Sequence, residues 1–251
     1  MRRPSSPYGS SMSFGPGPLS PALKWLIGAN VVVFLAQQLA PALGWNLDYY
    51  FALRPGTVVG SAAVWQLATY MFLHVGASHI LFNMLALWMF GTELERIWGT
   101  RYFLQFYFVT GIGAGLLTVF FSLLPLGIAR HVFEATIMGA SGAIFGLLLA
   151  YAMYFPRRPL LLFFVFPVET RYAVMIFGAL ELFFTVTGVS GVANATHLGG
   201  LLVAYLFLKN GRIHPWSEVK YRYLKWKITR ARSKFDVHTG GRATDWGRRV
   251  H

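Results

Sequence analysis

The stretch GASGAIFGLLLAYAMYF, residues 139–155, begins with a serine set among glycines and runs without a charge into Pro156. From Ser141 onward it offers about fifteen helical residues, roughly 22 Å at 1.5 Å per residue, which is short of a hydrocarbon core about 30 Å thick. A helix so apolar that cannot reach both faces starts below the outer surface of a membrane, and Ser141 starts with it. Unpaired N–H groups and the positive end of the helix dipole point there at whatever forms on the serine oxygen. Two readings follow. The serine suits a developing oxyanion, and the glycines suit close helix packing, because Gly142 and Gly146 form a small-x-x-x-small pair.

The rest of the chain fits a membrane setting. Of 251 residues 55% are hydrophobic and 12% charged, the composition of a polytopic membrane protein rather than a soluble domain. Apolar runs at residues 22–40, 79–98, 102–124, 141–155, 172–187 and 195–208 are non-alternating, so helices rather than barrel strands are expected. The expected fold is all-α, a six-helix transmembrane bundle with a long interfacial first loop over residues 41–78. Cysteine is absent, which excludes disulfides, thiolate metal sites and cysteine nucleophiles.

Three segments are expected: a disordered cytoplasmic arm at 1–21, rich in Pro, Gly and Ser; the membrane domain at 22–210; and a basic cytoplasmic tail at 211–251. Arg2-Arg3 ahead of an apolar run also resembles an export signal. The run is long for one and five more spans follow, so uncleaved anchoring is expected. With the N-terminus inside, the inner connections hold Arg96, Arg101, Arg157, Arg158 and Arg171, while the outer ones hold only Arg54 and Arg130. That asymmetry puts both ends in the cytoplasm. Twelve of the 22 Lys and Arg lie after residue 208, interleaved with aromatics. The net charge of +13 therefore points to anionic lipids of the inner leaflet as partners rather than to nucleic acid.

Polar residues inside membrane helices invite a functional reading. His197 opens the sixth run, and Gly200 and Ala204 follow it at positions three and seven further on. Imidazole and small residues thus share one helix side, which can approach the glycine face beside Ser141. Serine and histidine at one depth make acyl transfer feasible, imidazole accepting the hydroxyl proton and returning it to a leaving amine. The plainer alternative is a hydrogen bond between helices. His79 and Asn83 lie four apart on the second run, both able to donate toward one point, or to clamp helices. His74, His79 and His197 have no carboxylate at ligand spacing, so neither metal nor cofactor is expected. Glu95 and Arg96 read as structural groups at the inner end of the second run. Glu181, inside the fifth run, receives no role.

Taken together these residues resemble the rhomboid family of intramembrane serine proteases. The resemblance rests on HILFN (79–83), GTELERIWG (91–99), GASG (139–142) and HLGG (197–200), which occur in family order across residues 22–210. It implies Ser141 as nucleophile and His197 as general base, with His79, Asn83 and the Ser141 amide holding the oxyanion. Gly139, Gly142 and Gly200 would support the site, and Phe145 would stack on the imidazole in place of an orienting carboxylate. The implied substrates are single-span membrane proteins with helix-weakening residues, and the implied setting is the inner membrane of a bacterial-type cell. An inactive relative that binds or chaperones membrane helices is the alternative, although such relatives typically lack the serine and histidine. A channel or transporter would need polar groups through the whole bilayer, whereas here they cluster at one depth. Three positions depart from the family pattern: Thr196 where alanine is usual, Gln66 where arginine often follows the tryptophan, and Phe145 where tyrosine is frequent. None of them removes a reacting group.

Overall fold

The computed structural model describes residues 17–162, 165–187 and 193–210. The basic tail and residues 1–16 of the arm, with their expected disorder and lipid binding, lie outside these residues; residues 17–21, expected as part of the disordered arm, are instead ordered, with the Trp88 indole donating to the Gly17 carbonyl at 3.0 Å and Pro21 already helical. Six long helices carry the described fold: α1 (Pro21–Leu39), α2 (Ala77–Trp98), α3 (Thr100–Ser122), α4 (Ser141–Tyr154), α5 (Thr170–Thr187) and α6 (Ala193–Asn210). Each of the six apolar runs falls on one of them, within two residues at every end. This is an all-α polytopic membrane architecture. By length and composition α3, α5 and the stretch Pro21–Leu43 can each cross a membrane; Gln66–Phe72 and α2 pass together as a pair bent by 96°, and α4 is a shorter apolar helix.

Chain-breaking residues set the element ends. Pro21 starts α1, where its missing N–H costs nothing. Gly99, at φ 76°, ends α2 and turns the chain straight into α3. The first loop is not one surface segment but a set of short helical turns at Leu47–Phe51, Pro55–Ser61 and Gln66–Thr69. A two-stranded antiparallel hairpin, Pro159–Leu162 with Phe166–Glu169, joins α4 to α5. The apolar pattern alone does not announce this hairpin.

The centre of the bundle is α3, half buried over its apolar window against 11% for α5. Its small residues receive neighbours from several sides. A Cβ on Gly115 would lie 3.1 Å from the Tyr70 ring, and one on Gly113 would lie 2.9 Å from Val203 of α6. The contact between α4 and α6 is closer still. A Cβ at Gly200 would run into the backbone carbonyl of Gly142, and one at Gly146 would stand 3.2 Å from the methyl of Ala204. The two small-residue faces thus meet backbone to backbone, as membrane helices do when dispersion, not water exclusion, must hold them.

Where α2 turns into α3, Glu95 ties three elements together rather than capping its own helix. Its carboxylate accepts from the Ala22 amide at 3.1 Å, from Thr100 Oγ1 at 2.6 Å and from Ser20 Oγ. The buried charge thereby meets the N-terminus of α1 and the start of α3, where helix dipoles favour an anion.

If the approach of α4 to α6 depends on bare backbone, Gly200→Ala should lower the thermal midpoint in detergent by an amount equivalent to about 1–3 kcal/mol. Gly28→Ala, on α1 with nothing within 4 Å of the added carbon, should hold the midpoint or raise it. Equal behaviour of the two variants would contradict this packing.

Candidate active site

Ser141 is the first residue of α4, and the residue before its turn, Gly139, has φ 125°. Only glycine adopts that conformation without strain. There is a second reason for glycine: a Cβ there would lie 2.8 Å from Cε1 and 2.9 Å from Nε2 of His79, and 3.6 Å from Ser141 Oγ. The space beside the serine hydroxyl is therefore taken by an imidazole. The non-helical backbone leading into this helix needs partners from protein. It finds them in a bridge between Leu53 and Ile137, with N–H to O distances of 3.0 and 2.9 Å, and in the Gly139 amide, which donates to the Tyr70 carbonyl at 2.9 Å. The Tyr70 hydroxyl in turn donates to Gly111 O at 2.7 Å.

The close approach of α4 and α6 brings His197 to the serine. Nε2 of His197 lies 2.7 Å from Ser141 Oγ, and with the ring proton on Nδ1 it accepts from the hydroxyl. Phe145, one turn along from Ser141, stacks on the imidazole with ring centroids 4.4 Å apart and planes 8° from parallel. The ring that would have to move a proton is thus fixed in plane and position. On α2, the Val75 amide approaches Nδ1 of His79 at 3.4 Å. A donor on Nδ1 leaves the ring proton on Nε2, the nitrogen beside Gly139. Asn83 is buried one turn further along and donates from Nδ2 to the His79 carbonyl at 2.8 Å, which keeps one of its two amide hydrogens for other use.

No side chain caps α4: the N-cap residue is Ala140, which has none to offer. The N–H groups of its first turn, with Ser141 among them, are left as donors toward the space next to Oγ. His79 Nε2, these amides and the Ser141 hydroxyl share one small region, and the arrangement can accept a negatively charged oxygen bonded to a carbon held by the serine. His74, the third imidazole weighed for a metal set, sits edge-on to His79 with centroids 5.1 Å apart. Among the described residues no group of three or more His, Asp or Glu is placed to hold a metal ion.

The two polar departures have partners of their own. Thr196 Oγ1 lies 2.9 Å from Thr118 Oγ1, which is 2.8 Å from the Ala114 carbonyl. With one proton per hydroxyl, Thr118 donates to the carbonyl and accepts from Thr196, so the extra hydroxyl faces α3 and not the imidazole. Gln66 is buried at 2% exposure and works as a neutral tether: its Oε1 accepts from the Arg54 amide at 3.0 Å and from Thr57 Oγ1 at 2.8 Å. Two supports escaped the sequence reading. One is Tyr70. The other is Gln37 of α1, whose amide group donates to Asp48 at 2.8 Å and to the His74 carbonyl at 3.0 Å while accepting from the His74 amide at 3.0 Å. The sequence signal for Gln37 is weak, because Lys24, Asn30 and Gln38 are polar residues of the same run.

An all-α membrane bundle with a serine and a histidine paired at a buried helix start defines a class, and comparison with known proteins agrees with it. The Rhomboid domain model matches residues 61–210, and the chain belongs to the rhomboid family. The rhomboid protease GluP of Bacillus subtilis is 34% identical over 154 residues, 61% of this chain and 27% of its own length. Rhomboid protein 1, mitochondrial, of Saccharomyces cerevisiae is 33% identical over 189 residues, covering 72% of this chain and 51% of that protein. The rhomboid protease AarA of Providencia stuartii is 31% identical over 154 residues, 57% of this chain and 54% of its own. The chain thus spans between about a quarter and about half the length of these relatives.

Replacing Thr196 by valine removes a donor but strands none, since Thr118 keeps the Ala114 carbonyl. Thr196→Val should therefore cost about 0.5–1 kcal/mol of stability, read as a small drop in thermal midpoint. A loss several times larger would mean that the hydroxyl pair positions α6.

Proposed function

We propose that the chain is an intramembrane serine endopeptidase that cuts transmembrane segments of single-span proteins through an acyl-enzyme. The observation that carries this reading is the 2.7 Å contact between Ser141 Oγ and His197 Nε2, next to an uncapped helix start and the His79 imidazole. Ser141 Oγ attacks the carbonyl carbon of the scissile peptide while its proton passes to Nε2. The carbonyl oxygen becomes an oxyanion, held by His79 Nε2–H, the Asn83 amide and the Ser141 backbone N–H. Nε2 then gives its proton to the leaving amine, and the acyl group remains on Oγ. Water repeats the sequence in the second half, losing a proton to the imidazole and freeing the serine. No metal or cofactor takes part.

The peptide bonds of a transmembrane helix are already hydrogen-bonded, so the substrate must open locally before its carbonyl can be reached. Segments with glycine or proline near the outer surface meet that need at least cost. Six crossings, both ends cytoplasmic and the site toward the outer face of a cell membrane agree with the distribution of Lys and Arg. The relatives named as proteases support the same activity.

The test is cleavage of a single-span reporter with a Gly-containing helix by the purified full chain in liposomes. Ser141→Ala and His197→Ala should each reduce cleavage by at least about a thousandfold. Reporter binding without cleavage by the unmodified chain would favour a helix-binding role instead, and cleavage that survives Ser141→Ala would remove the serine from the mechanism.

A further inference from the structure

His197 has two ring nitrogens, and the serine uses one. The other, Nδ1, lies 2.9 Å from Oε1 of Glu181 on α5. Both side chains are nearly enclosed, each 16% exposed. The N–H direction of Nδ1 does not line up on that oxygen as a hydrogen bond requires, so the contact is one of charge and proximity. The second oxygen, Oε2, is buried and has no hydrogen-bond partner among the described residues. A carboxylate so placed is costly in a membrane helix unless something cationic forms beside it. Packing offers no other reason for it, because α5 buries only Thr170 and Ala173 among its side chains.

We propose that Glu181 is a positioning residue for His197, its carboxylate acting on Nδ1 as the imidazole takes up the serine proton at Nε2. This rests on the reading of Ser141 and His197 as a protease pair. As Ser141 Oγ bonds to the acyl carbon and its proton moves to Nε2, the ring carries a proton on each nitrogen and a positive charge. Glu181 stabilises that cation and holds the proton on Nδ1, which keeps Nε2 free to accept in the resting state. When Nε2 passes its proton to the leaving amine, the ring is neutral again and Glu181 is unchanged. The stacked Phe145 fixes the ring plane, and Glu181 selects which nitrogen faces the serine.

The test compares the unmodified chain with Glu181→Gln, Glu181→Asp and Ser141→Ala in liposomes. It measures cleavage over a range of reporter concentrations, the rate of Ser141 labelling by a fluorophosphonate, and the thermal midpoint. Glu181→Gln, which keeps the shape but not the charge, should lower kcat roughly tenfold or more with KM within about twofold, and should slow labelling in parallel. Glu181→Asp should recover part of the loss. A purely structural latch would move KM or the thermal midpoint and leave kcat alone, and that result, or a Glu181→Gln variant equal to the unmodified chain, overturns the proposal. If the unmodified chain neither cleaves nor is labelled, the protease reading itself falls and takes this role with it. Cleavage that depends on Ser141 but is indifferent to residue 181 brings down the role of Glu181 alone.

Discussion

The site hangs on a contact between two stretches of bare backbone, Gly142 of α4 and Gly200 of α6. Helices that pack through side chains keep their axes 8–10 Å apart, and a serine arm is too short to work across such a gap. Removing the side chains from both faces lets the helices close until Oγ and Nε2 are 2.7 Å apart. In a bilayer this closeness needs its own source of attraction, because lipid tails are as apolar as the helices. Extended contact between smooth faces supplies it, with Gly146 against Ala204 continuing the seam one turn on. The Thr196–Thr118 pair adds one modest hydrogen bond between α6 and the central helix.

A second constraint follows from the short α4. Starting a helix inside an apolar bundle places non-helical backbone away from water, so each such group needs a protein partner. The first loop exists largely for this purpose. Leu53 bonds Ile137, Tyr70 takes the Gly139 amide, and Gln37 closes around His74 from α1. Once these groups are paired, the donors left over are those at the start of α4, beside a capping residue with no side chain. A deficit that would be a flaw in an inert helix is here the feature that gives the serine its surroundings.

Much of this was legible in the sequence, for reasons that can be stated. Apolar runs and their Pro or Gly ends locate helices, because a membrane permits few other backbone solutions. Counting back from Pro156 gives a short helix that starts at Ser141, and helical spacing puts His197 on the same side as Gly200 and Ala204. What stayed hidden depends on partners distant in the chain. Thr196 reads as a perturbation of the imidazole until Thr118, 78 residues away, is seen to take its hydroxyl. Gln66 reads as a lost charge until Arg54 and Thr57 fold over it. The hairpin at 159–169 lies in a run of apolar residues with no alternation, and such a run fits strand and helix equally well.

Glu181 shows the same limit from the other side. Its depth marks it as unusual, but a carboxylate on a membrane helix has no meaning without the group it faces, and helical spacing places no histidine near it. With α4 and α6 locked through glycine and α5 barely buried, the bundle separates two tasks. The glycine seam of α4 and α6 brings the reacting atoms to 2.7 Å without a residue of α5. α5 contributes the carboxylate, 2.9 Å from Nδ1 of the same imidazole. On the proposed role of Glu181, the seam between α4 and α6 sets the geometry of the reacting pair and α5 sets its electrostatics.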